Sequence, residues 1–398
     1  MYFVALKMLM GDRAKFTGLL LGIAFTAFLV TFAASYFCGF MTRGFALIAE
    51  NPATDVWVMD PAVSSTEETI NMPDSALMRV RSVSGVRYAA PMALGNIDAR
   101  LANGRFQSFQ VIGVDDATLT GAPVPAGHDS PDLLRRPDAA IVDAGGTSGK
   151  LGTPLRVRDQ WPYDGAHLDV PLRDLAPGDE LLADDSRIRV LGVSHTLPRY
   201  PPRPLLYMTY SNALRVLPSE RKRLTFILVT AMPGVNAVAL ARRIERVTGL
   251  RARASSDFEA DTVRWYLVNS EDVGDMVAMI LLAMTVGFGV AGIMLYMYTY
   301  ENLRQYAVLK AMGTGPGTLS AMIFVQAATS AILGAGVGLG VCALVGQGVT
   351  AAFDYPFRMM WYTPLVGGIG VLIVSLTAAA VSIRPVIRLQ PGVVFAGR

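Results

Sequence analysis

Charge is scarce in this chain. Of its 398 residues, 17% are Asp, Glu, Lys or Arg, where a soluble domain carries about 25%. Only two cysteines are present, which excludes a disulfide-rich scaffold and a cysteine-based zinc site. Histidine is nearly as rare: His128, His167 and His195 share no metal-ligand spacing. The formal net charge of +3 is too small to point to a nucleic-acid partner. Lysine is short too, at five residues against 30 arginines, the bias of a GC-rich bacterium.

Apolar sequence fills the gap, at 52% of residues and a mean hydropathy of +0.39. No charged residue occurs in 16–42, 276–300, 311–353 or 359–383. A helix needs about 20 apolar residues to cross ~30 Å of hydrocarbon. The first, second and fourth runs fit one crossing each. The third opens with the loop-like "AMGTGPGT", which leaves 319–346 to span. Four transmembrane helices are therefore expected, at 16–42, 276–300, 319–346 and 363–383.

The first run has the basic flank of a signal peptide, in Lys7, Arg13 and Lys15. Its apolar core is too long for a signal, no A-x-A site follows, and Phe37 stands where a lipoprotein needs a small residue before Cys38. A retained anchor is expected. Cys38 and Cys342 fall near the same end of their helices, so a disulfide or two apolar free thiols both fit.

Lys and Arg near the helix ends set the expected orientation. Lys7, Arg13 and Lys15 precede the first helix, Arg304 and Lys310 lie between the second and third, and Arg384, Arg388 and Arg398 follow the fourth. The 347–362 segment has only Arg358, beside Asp354. Both termini (1–15 and 384–398) and the 301–318 loop are thus expected in the cytoplasm, with 347–362 as a short outer loop. Residues 43–275, holding 26 of 35 basic and 29 of 32 acidic residues, become a large extracytoplasmic domain.

That domain reads as mixed α and β. "PDSALMRVRSVSG" is a short helix closed by Gly85, with a strand from Val86. "IDARLANGRFQSFQVIGV" is a hairpin turning at Asn103-Gly104. "GDELLADDSRIRVLGV" turns at Asp184-Asp185. "FILVTAMPGVNAVALARRIERVTGLRARA" reads strand, turn, helix, Gly249 cap, strand. The helix–Gly–strand units at 74–91 and 235–254 resemble two halves of one module, with an inserted β-rich subdomain at 116–220. A helical stalk over 255–276 is expected to run on into the second span.

Candidate chemistry is thin. "AGGTSGKL" at 144–151 departs from a P-loop at Ala144 and Leu151, and reads as a turn before a strand. Asp115-Asp116 and Asp184-Asp185 read as turn acids, and no Ser has a G-x-S-x-G setting. No catalytic site, metal or cofactor is expected. No ionisable residue lies mid-span, as an ion-coupled transporter would need; Gln326 is the largest polar group there. Gly334, Gly336, Gly338 and Gly340 form overlapping small-xxx-small pairs, which suit packing within one unit or a dimer contact equally.

The informative segment is "YENLRQYAVLKAMGTGPG", residues 300–317. It is a short helix, with Leu303, Tyr306, Ala307 and Lys310 on one face, stopped by Gly313, Gly315, Pro316 and Gly317. On physics alone it suits a docking element for a soluble partner or a plain interfacial helix. Its continuation, with Leu309, Lys310, Ala311, Met312 and Gly313 followed by a glycine-rich helix, resembles the signature of FtsX/MacB-type ABC transporter permeases. "LLLGIAFTAFLVTF", "DVWVMDP", "FQVIGVDD", "LAPGDELL" and "RPVIRLQPGVVFAG" stand in the same order, closest to the DevC-like branch.

The resemblance implies a four-helix membrane protein with an inserted α+β domain of the MacB-like periplasmic core type. It implies a cytoplasmic ATPase that binds the ATP and docks on the loop, with Glu301, Arg304 and Lys310 as candidate contacts. It also implies a homodimer in a bacterial inner membrane, with a periplasmic membrane-fusion adaptor and outer-membrane duct as further partners. Action would be by mechanotransmission, without a channel through the bilayer. Export of a lipid, peptide or drug is then the leading function. Lipoprotein or lipid extraction, and an FtsX-like signalling permease controlling a cell-wall hydrolase, are the alternatives.

Overall fold

The structure is a computed structural model that describes residues 2–147, 149–155, 171–218, 224–353 and 355–387. Ser148, His167, Asp354, Arg388, Arg398 and most of the closing motif lie outside the described residues. The chain divides into a helical unit, Met1–Phe40 with Ser270–Arg398, and a sheet unit, Met41–Asn269.

Helices α1 (Tyr2–Gly11), α2 (Arg13–Gly44) and α3 (Ala46–Ala49) open the chain. Strand β1 (Val56–Met59), helix α4 (Ser75–Arg81) and strands β2 (Val86–Arg100), β3 (Phe106–Val114) and β4 (Ala139–Asp143) follow. Next come β5 (Gly152–Pro154), β6 (Leu172–Asp174), β7 (Glu180–Ala183), β8 (Ser186–Ser194) and β9 (Leu205–Thr209). Helix α5 (Tyr210–Val216), strand β10 (Phe226–Ala231), helix α6 (Ala237–Thr248), strand β11 (Arg251–Ala254) and helix α7 (Ser255–Asn269) complete the sheet unit. Helices α8 (Glu271–Glu301), α9 (Leu303–Ala311), α10 (Pro316–Phe353) and α11 (Thr363–Ile387) end the chain.

Among the described residues, four helices are long and apolar enough to span a bilayer: α2, α8, α10 and α11 over Thr363–Arg384. A helix satisfies its own backbone polar groups, which hydrocarbon cannot. This is a multi-pass membrane protein. Leu19, Ile23 and Ala27 of α2 share one buried cluster with Ala291 and Leu295 of α8, Met322 and Ile323 of α10, and Val371 and Val374 of α11. Small residues allow the close approaches: a side-chain carbon built on Gly287 would meet Thr26 Cγ2 at 2.2 Å.

The helices outrun the uncharged stretches. Helix α8 begins at Glu271, with Glu271 and Asp272 in its first turn, where carboxylates suit the positive end of the helix dipole. Helix α10 begins at Pro316, a residue whose fixed φ and missing N–H suit the first helical position. The expected unbroken stalk is not observed. Ser270 is extended, at φ −94° and ψ 123°, so α7 ends at Asn269 and α8 starts afresh.

Among the described residues of the sheet unit, nine strands lie in the order β11-β1-β10-β2-β3-β9-β4-β8-β7. The first four belong to two interleaved β-α-β halves, β1–α4–β2 and β10–α6–β11, with every neighbouring pair antiparallel. Alternation along β1 divides the core. Val56 and Val58 pack with Ala76, Val80, Leu240 and Ile244 of α4 and α6. Trp57 and Met59 pack with Phe226 and Phe258 on the other side. Asn236 caps α6 by accepting from Val238 N and Ala239 N, and Gly249 ends it at φ 69°. Helix α4 stops at Arg81 with Ser82 as its cap, so Gly85, at φ 99°, serves the turn into β2 rather than closing the helix.

Strand β2 is long enough to serve twice. Its first half pairs with β10 and its second with β3, in register from Ala93↔Gly113 to Arg100↔Phe106. Among the described residues, the 116–220 stretch therefore does not form a sheet apart: β9, β4, β8 and β7 extend the same sheet through β3, and β5 and β6 pair separately. A second buried cluster, including Ile97, Phe109, Val142, Val190 and Leu206, fills this half. Asp184, at φ 47°, makes the β7–β8 turn.

Candidate functional site

Helix α9 is set off from α8 by one residue. Asn302, at φ −92° and ψ 8°, ends α8 and starts α9. Its Nδ2 donates to Tyr298 O at 2.8 Å, and its carbonyl accepts from Gln305 N at 3.0 Å and Tyr306 N at 3.2 Å. Asparagine tolerates such a corner because its short amide can bond nearby backbone.

The other end of α9 is a Schellman turn. Thr314 N donates to Leu309 O at 3.1 Å, Gly313 N donates to Lys310 O at 3.1 Å, and Gly313 sits at φ 92°. A side chain at that φ is strained, and glycine is not. The turn redirects the chain into Pro316, five residues after the last α9 residue.

Between these ends α9 has two distinct faces. Tyr306 and Ala307 are fully buried, and Leu303 and Leu309 pack on the same cluster. The Tyr306 hydroxyl donates to Gln326 Oε1 at 2.8 Å, and Gln326 Nε2 donates to Ala5 O at 3.0 Å. One amide thus links α9, α10 and α1. The opposite face presents Arg304, Val308, Ala311 and Met312 to the outside, with Met312 69% exposed.

The signature residues therefore divide. Arg304, Ala311, Met312 and Gly313 are exposed, while Leu309 and Lys310 are half-buried on the inner side. Glu301 belongs to α8, and its carboxylate pairs with Lys15 Nζ at 2.9 Å, which also pairs with Asp12 at 3.2 Å. These groups are exposed, so the pair contributes little to stability. The Asp12 carboxyl is held below its ordinary range by the Lys15 backbone N–H and side chain.

The glycines of α10 divide as well. A side-chain carbon on Gly334 would meet Ile23 Cγ2 at 2.7 Å, and one on Gly338 would meet Ala24 O at 2.3 Å, so this pair lies flush against α2. Gly336 and Gly340 are exposed and have nothing within 4 Å.

Elsewhere the sequence candidates are ordinary turns. Gly145 N donates to Asp143 Oδ1 at 2.8 Å, and Thr147 Oγ1 donates to Ala144 O at 2.6 Å, within the P-loop-like stretch. His128 and His195 are exposed in loops. Cys38 and Cys342 are not joined in a disulfide, and the Cys38 Sγ lies 3.5 Å from the Tyr362 hydroxyl. Among the described residues no group of three His, Cys, Asp or Glu side chains could hold a metal ion.

Sequence reasoning singled out Tyr306 and Gln326 separately and missed that they meet. The available signal was a lone amide in an apolar span, which needs a partner in hydrocarbon, one loop away from a buried-face tyrosine.

Residues 277–391, which hold this corner and the three spans around it, match the family model for the FtsX-like permease C-terminal domain. Over those residues the chain is similar to FtsX-like permeases. Two Mycobacterium tuberculosis proteins, from strains CDC 1551/Oshkosh and ATCC 25618/H37Rv, are described as uncharacterized ABC transporter permeases. Each is 22% identical to it over 329 residues, or 83% of this chain and 80% of theirs. Among solved structures, the periplasmic region of MacB from Actinobacillus actinomycetemcomitans aligns at 15% identity and a TM-score of 0.36, over 55% of this chain and 94% of its own. The extracellular domain of the transporter YknZ from Gram-positive bacteria aligns at 13% and 0.32, over 50% and 98%.

Proposed function

We propose that this permease couples a separate cytoplasmic ATPase to movement of its sheet unit, with α9 as the docking helix. The observation that carries the reading is the two-faced geometry of α9. Its inner face is fixed to α10 and α1 through Tyr306 and Gln326, while Arg304, Val308 and Met312 are left outward. A helix held rigidly on one side and open on the other transmits a push rather than absorbing it.

On this reading the 301–318 corner and both termini face the cytoplasm of a bacterial inner membrane, and the sheet unit lies outside. The ATP belongs to the partner subunit, and the permease works as a dimer of two copies. Its work is export or periplasmic handling of a lipid, peptide or drug-like molecule, handed on through a periplasmic adaptor and outer-membrane duct, as the DevC-like motifs suggest.

The test is a mild-detergent pull-down of the tagged chain, with co-purifying proteins identified by mass spectrometry. Wild type, Arg304→Glu and Val308→Asp are compared at equal membrane expression. An ATPase that follows wild type and falls at least tenfold with either variant supports the docking face. An ATPase retained equally by all three overturns it, and an adaptor among the captured proteins separates the exporter from a signalling permease.

A further inference from the structure

At the far end of α10 from its Pro316 start, the link to α11 does not simply cross over. Residues 355–359 fold back between helices. The Phe357 ring lies on Gly346, where a side-chain carbon would come within 2.2 Å of it, and 5.4 Å from the Phe32 ring of α2. Tyr355 stacks on Tyr36 at 4.8 Å, and Arg358 N donates to Ser35 O at 3.0 Å. The link is thus pinned to both α2 and α10.

Pinning it leaves a cleft of about 430 Å³ beside α10, within the usual range of small-molecule sites, roughly 300–1,000 Å³. Ala343, Thr350 and Ala351 line one wall and Phe357 and Met359 the other, with Gln347 and Arg358 as the polar members. The Thr350 hydroxyl is engaged by Gly346 O at 2.9 Å. Arg358 is exposed, and among the described residues its guanidinium has no ion pair. Trp361, 78% exposed, follows three residues later. Tryptophan and tyrosine gather at the membrane–water boundary, which places this end of the spans at headgroup level.

An apolar cleft in the hydrocarbon with a cation at headgroup level matches one chemistry. We propose that it holds an acidic phospholipid, with the acyl chain against Ala343, Ala351, Phe357 and Met359 and the phosphate on Arg358. The planar guanidinium forks onto phosphate oxygens, and basic pockets between spans are a recurrent means of binding acidic headgroups. The exposed Gln347 amide can donate to the ester or headgroup oxygens. This site is independent of the ATPase reading and stands or falls by itself.

The purified full chain in bilayer discs of equal phosphatidylglycerol and phosphatidylcholine tests it, with retained lipid identified by native mass spectrometry. Phosphatidylglycerol adducts are expected to exceed phosphatidylcholine by about fivefold, the factor of one basic side chain against an acidic headgroup. Arg358→Gln should bring the ratio back to that of the bulk lipid. Ala351→Phe keeps the charge but fills the cleft, and should reduce both adducts. A wild-type ratio near one, or a fivefold ratio surviving in Arg358→Gln, overturns the proposal. Inorganic phosphate is titrated in parallel: displacement of the lipid by millimolar phosphate would make this a free-anion site and overturn the lipid assignment.

Discussion

The Tyr306 hydroxyl donates to Gln326 Oε1 at 2.8 Å with both side chains withdrawn from the surface. The bond ties the short α9 to the span that follows it, and the same amide reaches the α1 backbone. Buried as they are, neither group has water to fall back on. Tyr306→Phe orphans the amide oxygen and Gln326→Leu orphans the hydroxyl. Each single variant should lose about 0.6 kcal/mol and at most ~1.7 kcal/mol of bundle stability, the range measured for interhelical bonds in membranes. The double variant should lose less than the sum of the two, because neither group is then left without its partner. Unfolding in mixed micelles measures all three. Strict additivity would show that the contact carries no coupling.

The glycine stripe gives a sharper contrast. Gly334 and Gly338 lie against Ile23, Ala24 and Ala27, whereas Gly336 and Gly340 have open space. Gly338→Val should therefore force α2 and α10 apart and cost about 1–3 kcal/mol, the usual range for overpacking. Gly340→Val should leave the unfolding midpoint of the isolated chain unchanged. If the two variants unfold alike, the close approach of α2 and α10 is not a stabilising contact.

Gly313 separates backbone strain from crowding. Nothing lies within 4 Å of a built side-chain carbon there, but φ is 92°. Gly313→Ala should cost more than the roughly 0.4–1 kcal/mol that alanine gains elsewhere by stiffening the unfolded chain. Gly313→Asn should cost less, since asparagine visits left-handed backbone more readily. Amide exchange at Gly313 and Thr314, the donors of the Schellman turn, follows the order directly: Ala fastest, Asn intermediate, glycine slowest.

What could be read from the sequence follows from which forces act locally. The four spans were legible because a bilayer demands long uncharged stretches. The Asn103-Gly104 hairpin and the Gly249 end of α6 were legible because caps and turns are made by adjacent residues. The Ser270 break did have a local signal, which was passed over: serine favours the N-cap of a helix, and Glu271 and Asp272 stand in the first turn of α8 behind it. The extension of one sheet through the 116–220 stretch was hidden. It depends on the length of β2, whose two halves take different partners, and pairing between distant strands leaves no local pattern. In the 300–317 segment the α9 face of Leu303, Tyr306 and Ala307 was visible from spacing. The assignment of Glu301 to Lys15 was not, because the two are 286 positions apart in the chain and meet only through packing.

The sheet unit contains one charged cluster where removing a partner should be costly. Arg199, only 6% exposed, pairs with Glu50, at 16%, and donates to the Tyr207 hydroxyl at 3.0 Å. Leu197 N donates to the other Glu50 oxygen at 2.6 Å. Burial holds the Glu50 carboxyl above its ordinary range, while Arg199 pulls it back down. Arg199→Met removes that pull and leaves a buried carboxylate without its counter-charge, at an expected cost of about 3–5 kcal/mol at pH 7.5. The sign of the pH dependence follows. A carboxyl with a raised folded pKa contributes stability that is present below the unfolded value, about 4.3, and is lost as pH rises through the folded value. Without Arg199 that folded value climbs further, so the penalty should shrink steadily as pH is lowered from 7.5 toward 5. Glu50→Gln in the Arg199→Met background should flatten the pH dependence and restore part of the lost stability at pH 7.5. Thermal unfolding of the three proteins across that range measures both effects, and a penalty that stays constant with pH would mean that Glu50 does not remain buried once Arg199 is gone.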